Sequence, residues 1–176
     1  IEAIKIGVQD QLHYSVADAT ELQFGNERFS HILGGCNFAF IQLREKALKE
    51  CHRVLEKAGC LCVSNFFYSS PPPVELLDSI YDIINFRPGH NWTHAFWDNF
   101  FSTIFTKKRS KIKNLPIINE ADLKIIIKNL IYENSPHLKK YNDQIRRICF
   151  ERLFRTRKLL NEHRKYQKYT VEVWEK

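Results

Sequence analysis

Between Phe29 and Phe67 two short apolar runs flank one amphipathic repeat, and that alternation restricts the chain to very few folds. Phe29 to Leu33 is apolar enough to predict a strand buried on both faces. Leu43, Ala47, Leu48, Cys51, Val54 and Leu55 then recur at three- and four-residue spacing, which predicts a helix with Glu45 and Lys49 paired across one turn of its exposed side. Lys57-Ala58-Gly59 ends that helix, and Cys60 to Phe67 predicts a second buried strand. On it Cys60 and Cys62 share one face while Leu61 and Val63 fill the other. Strand, helix and strand in this order form the repeating unit of a doubly wound α/β sheet. Upstream, the residues before Gly7 read as a helix tail ending on a glycine suited to a left-handed turn. Leu12 to Val16 reads as a further short strand that leads to Asp18.

After Tyr68 the character changes. Ser69-Ser70-Pro71-Pro72-Pro73 is a stiff linker, because consecutive prolines join neither a helix interior nor a sheet ladder. Val74 to Phe86 predicts a helix with Leu76, Leu77, Ile80, Ile83 and Ile84 on its apolar side, broken by Arg87-Pro88-Gly89. A second, aromatic helix is expected from Trp92 to Phe101, then a strand starting in Thr103 to Lys107, then helices over 120–131 and 143–166. The last residues alternate, Tyr169, Val171 and Val173 against Thr170, Glu172 and Trp174, which predicts a closing strand.

At 176 residues the chain is one ordinary domain, and no apolar run approaches the roughly 20 residues that a membrane helix needs. No signal-peptide layout is present at its start, so a cytoplasmic protein is expected. Position 1 is isoleucine and methionine is absent throughout, which suggests a fragment or an incompletely recorded polypeptide. Five cysteines follow no disulfide framework and read as reduced thiols, and no paired spacing suggests a metal ligand set. The net charge of +7 gathers in 107–113 and 139–168. It allows a nucleic acid or acidic partner, although solvated helix faces are the favoured reading.

Three segments carry a family resemblance. They are Val16-Ala-Asp18-Ala19-Thr-Glu-Leu-Gln-Phe24, Arg28-Phe29-Ser-His-Ile-Leu-Gly34-Gly35-Cys36-Asn37, and Ala47-Leu-Lys-Glu50-Cys-His-Arg53-Val54-Leu55-Glu-Lys57-Ala-Gly59. Together they resemble the small-molecule branch of the class I S-adenosylmethionine (SAM) dependent methyltransferases, whose pattern is roughly D-A-x-x-L-P-F, F-D-x-V and A-L-x-E-x-x-R-V-L-K-P-G-G. Gln23, Ser30 and Ala58-Gly59-Cys60 depart from it. The resemblance implies an α/β fold, the C-terminal portion of a Rossmann-like sheet with a helical cap. Residues 1–68 would belong to the SAM-binding core, 69–168 to a mainly helical cap, and 169–176 to the closing strand. It implies SAM as cofactor, with Asp18 accepting from the adenine amino group, Ala19 offering its N–H to the ring, and Gly35, Cys36 and Asn37 running beneath the cofactor. Asp18 capping a turn is the structural alternative. The Gly-x-Gly loop and the ribose-binding acid of the family are absent from these residues, so the chain from Ile1 onward is not expected to bind SAM measurably.

Methyl transfer asks the protein chiefly for placement, plus a base for some acceptors. His31 and His52 read as structural. His90 and His94 lie beside Trp92, Phe96 and Trp97 in a stretch expected to border the acceptor. With Asp98 they fall at i, i+4 and i+8, a spacing that would also suit a metal on one helix face, although no metal is predicted. Tyr68, at a strand end, is a further candidate for orienting the acceptor. The expected function is methyl transfer from SAM to a small molecule, with no membrane partner. A non-catalytic methyltransferase-like subunit and an RNA methyltransferase are the alternatives.

Overall fold

The computed structural model describes residues 5–176. The helix tail predicted before Gly7 falls mainly outside them, while Gly7 itself takes the left-handed turn, with φ at +71°. Strands β1 (Phe29–Gly35), β2 (Leu55–Tyr68), β3 (Thr106–Asn114) and β4 (Gln167–Glu175) form one sheet in the order β1-β2-β4-β3. β1 and β2 are parallel, and β4 runs antiparallel to both of its neighbours. The helices are α1 (Arg44–Val54), α2 (Val74–Ile84), α3 (His94–Ser102), α4 (Glu120–Tyr132), α5 (Pro136–Lys139) and α6 (Asp143–His163). β3 and β4 are therefore sheet neighbours separated in sequence by a helical insertion, as expected.

The period-2 pattern of β2 and β4 decides which sheet face is core. Leu61 sits opposite Trp174, Val63 opposite Glu172 and Asn65 opposite Thr170, and all six are buried. Ala47, Leu48 and Cys51 of α1 pack on this face beside Trp97 and Phe101 of α3. The span 69–168 thus contains α3, which packs into this core, and β3, an exposed edge strand of the sheet. The rest of the insertion has a small core of its own, in which Leu123, Ile127 and Ile131 of α4 meet Cys149, Phe150, Leu153 and Phe154 of α6.

Three local expectations change. Leu12 to Val16 is extended but joins no strand, and Val16 is fully exposed. The segment pairs with no strand of the sheet, and without a ladder an apolar run does not make a strand. β1 is the edge of the sheet among the described residues, so its outer face meets solvent and Leu33 is 82% exposed. On α1 the ion pair joins Glu50 to Arg53 at 2.8 Å, and no Glu45–Lys49 bridge forms.

Candidate functional site

A groove of about 350 Å³ opens along β1 toward the carboxyl end of the parallel pair, the edge where open α/β sheets hold ligands. Ala19, Leu22, Ile32, Gly34, Asn37 and Phe38 line it. The wall segment is pinned from behind. Arg53 donates to the carbonyls of Leu22 (2.9 Å) and Phe24 (2.7 Å), and Glu50 accepts from the Leu22 N–H at 2.8 Å. Arg53 and the Leu22 N–H hold the Glu50 carboxyl down at about 2. This accounts physically for an E-x-x-R pair that sequence reading quoted only as pattern.

The cofactor candidates divide. Ala19 and Asn37 face the groove, and Gly35 and Cys36 turn the chain at the end of β1. Cys36 adopts a left-handed φ of 58°, and its N–H donates to the Ser64 carbonyl at 2.8 Å. Asp18 lies outside the lining, exposed. Its Oδ1 accepts from the Thr20 N–H at 2.8 Å, and that bond, with the Thr20 hydroxyl, holds the carboxyl below its ordinary range. Asp18 therefore caps a turn and remains an ionised acceptor.

A second cavity, of about 270 Å³, shares the segment after β1 with the groove. Ala39 and Phe40 form its near wall; Phe66, Phe86 and Trp92 supply further rings; Ile80 of α2 and Leu160 of α6 close it. At its base the Tyr68 hydroxyl meets His163 Nε2 at 2.8 Å. Both residues are buried, Tyr68 6% and His163 4% exposed. Burial raises the Tyr68 phenol and lowers the His163 imidazole to about 4, so at neutral pH neither carries charge. Sequence reading named Tyr68 and missed His163, which lies three residues after Leu160 and so on the apolar face of α6.

The two histidines near the aromatic run are not brought together as expected. Thr93 caps α3 by accepting from the Phe96 N–H at 3.2 Å, so the helix begins at His94 and leaves His90 exposed on the preceding turn. The i, i+4, i+8 face is therefore not formed. His94 contacts the Phe67 ring at 5.2 Å and Glu172 Oε1 at 3.5 Å, which sets it over the Asn65–Thr170 pair on the core face. His94, Asp98 and Glu172 approach closely enough to share a cation. The Lys107 ammonium already supplies that charge, bonded to Asp98 and 3.9 Å from Glu172. Ser110 and Trp174 donate to Glu172 as well, at 3.0 and 3.1 Å.

Comparison with known proteins settles the family. A family model for the methyltransferase domain matches residues 2–63. A crystal structure of the protein MccD is 39% identical and superposes with a TM-score of 0.85, covering 99% of this chain and 72% of that one. The chain belongs to the class I SAM-dependent methyltransferase family. This methyltransferase-family chain is also 29% identical over 86 residues to the mitochondrial 2-methoxy-6-polyprenyl-1,4-benzoquinol methylase of Xenopus laevis, a match covering 49% of the chain and 27% of that protein. It shares its fold with the phosphoethanolamine N-methyltransferase 2 of Haemonchus contortus, solved with phosphomonomethylethanolamine and S-adenosylhomocysteine. There the identity is 12% and the TM-score 0.68, over 99% of this chain and 39% of that one. No helix among the described residues is long and apolar enough to cross a membrane.

Proposed function

We propose that this chain is part of an enzyme that transfers a methyl group from SAM to a small-molecule acceptor. One observation carries the reading. Asn37, Phe38 and Ile41 line the groove while Ala39 and Phe40 between them line the cavity, so the two spaces share one segment after β1 at the carboxyl edge of the sheet. A donor in the groove and an acceptor in the cavity would meet across that segment, and alignment of the reacting atoms is most of what this chemistry requires of a protein. SAM, when bound, supplies an electrophilic methyl on a sulfonium.

The groove lining is apolar apart from His31 and Asn37. It suits the adenine end of SAM, with Asp18 as acceptor for the exocyclic amine and Ala19 beside the ring; the lining among the described residues offers no cation for the carboxylate end. The Haemonchus contortus protein, which shares the fold, was solved in complex with both S-adenosylhomocysteine and phosphomonomethylethanolamine.

Calorimetric titration with S-adenosylhomocysteine, on the polypeptide from its native start and on residues 1–176, tests this. The former is expected to bind, and Asp18→Ala to weaken binding about tenfold while remaining folded, the loss of a charged hydrogen bond. A folded Asp18→Ala protein with unchanged affinity would remove the adenine assignment. No binding by the native polypeptide would favour the non-catalytic subunit instead.

A further inference from the structure

We propose that Tyr68 positions the acceptor's nucleophilic group, locked by His163, and that the cavity selects a planar, largely apolar acceptor bearing an O–H or N–H. The inference rests on the assignment of this cavity to the acceptor and deepens it.

The walls define the shape. Phe40 and Phe86 pack with ring centroids 4.6 Å apart, and Phe86 continues onto Trp92 at 6.2 Å, so linked rings form part of the wall, which Ile80 and Leu160 help to complete. A flat hydrocarbon body suits such a space, since aromatic faces pack best against another ring. Its volume is at the lower end of the ligand-site range, which limits the acceptor to about two fused rings or their equivalent.

The polar lining consists of Tyr68, His163, Arg164 and Gln167, and the Arg164 guanidinium is engaged by the Pro116 carbonyl at 3.2 Å. Tyr68 ends β2 and His163 ends α6, 95 residues later, so their single 2.8 Å bond joins the sheet to the insertion. With His163 as its neutral Nδ1–H tautomer, the Tyr68 O–H donates to the imidazole Nε2. The phenol oxygen keeps a lone pair for the acceptor's O–H or N–H, which directs the nucleophile's own lone pair away from Tyr68. Proton uptake by His163 at neutral pH would be costly, because burial holds the imidazole at about 4. The pair therefore orients the acceptor rather than acting as its base.

Three small probes separate these contributions by equilibrium dialysis against residues 1–176: 2-naphthol, 2-methoxynaphthalene and naphthalene. 2-Naphthol is expected to bind about five- to tenfold more tightly than the other two, the worth of one net hydrogen bond. Tyr68→Phe is expected to abolish that preference while naphthalene binds as before. Ile84→Trp, at a lining position 40% exposed, is expected to block all three by filling the cavity. Equal affinities in the native chain, a preference surviving Tyr68→Phe, or undiminished binding in Ile84→Trp would each overturn the proposal. An equal gain for 2-methoxynaphthalene would do the same, since it would make Tyr68 the donor. None of these measurements involves SAM, so their failure is distinguishable from failure of S-adenosylhomocysteine to bind.

Discussion

Arg53 holds the wall of the groove along β1 without lining it. Its guanidinium reaches Glu50, the Leu22 and Phe24 carbonyls and the Asn26 side chain, at 2.7–3.0 Å. The planar fork explains why a lysine would not replace it, as one ammonium cannot serve acceptors spread over that plane. His163 is the other residue whose environment sets its chemistry. Its imidazole falls from the ordinary 6.5 to about 4 through burial, with Tyr68 the titratable group bonded to it. The folded state disfavours the charged ring, so its contribution is whole above pH 6.5 and declines as pH falls toward 4, because the unfolded chain takes up the proton first. The window corresponds to about 3 kcal/mol. Chemical denaturation at pH 7.5, 5.5 and 4.5 is expected to show this loss in the native chain and a shallower decline in His163→Gln. Parallel declines would place the pH sensitivity elsewhere.

At the scale of elements, the join of α1 to β2 shows how a local signal is reassigned by packing. The sequence predicts a helix-ending glycine turn at Lys57-Ala58-Gly59, whereas α1 ends at Val54 and these residues form an irregular stretch of β2 in which the left-handed residue is Ala58, with φ at 57°. Gly59 is needed for closeness instead. A Cβ there would lie 2.8 Å from the Glu56 carbonyl and 3.2 Å from that of Ser30, across the bulge where β1 meets β2. Ala58→Gly is accordingly expected to stabilise the protein by about 1 kcal/mol, by relieving the left-handed strain. Gly59→Ala is expected to cost about 2 kcal/mol, since backbone must move. Urea midpoints at constant m-value measure both, and a neutral Gly59→Ala would show that the bulge can yield. α1, β2 and β4 were legible from periodicity because each buries one face against the same core. Leu12 to Val16 carries a similar apolar signal and is not a strand, since strand formation depends on a partner that the segment itself does not encode.

Across the whole molecule, the α4–α6 unit is tied to the sheet by few polar bonds. The Tyr68–His163 bond is one, whereas the Asn161 side chain, bonded to both the N–H and carbonyl of Ile118 at 3.0 and 2.8 Å, ties α6 to the segment leading into α4. Its apolar core is small and separate from the one beneath the sheet. Such units open at lower free energy than the central strands. Hydrogen exchange is therefore expected to be faster in 120–150 than in β2. If the unit closes over a bound acceptor, its protection should rise with acceptor present and stay constant with S-adenosylhomocysteine alone. Unchanged exchange in both conditions would leave the insertion as scaffold.

The sequence by itself determined the succession of elements and the motif segments around Asp18, Gly35 and Glu50–Arg53, because periodicity and turn chemistry are properties of neighbouring residues. It also marked Tyr68 as standing at a strand end. Only the tertiary structure decided what Tyr68 meets there, that Lys107 supplies the charge between Asp98 and Glu172, and that β1 is the sheet edge among the described residues. Those outcomes join positions as far apart as 68 and 163, and they depend on the order in which strands pair and on where a helix of the insertion ends against them.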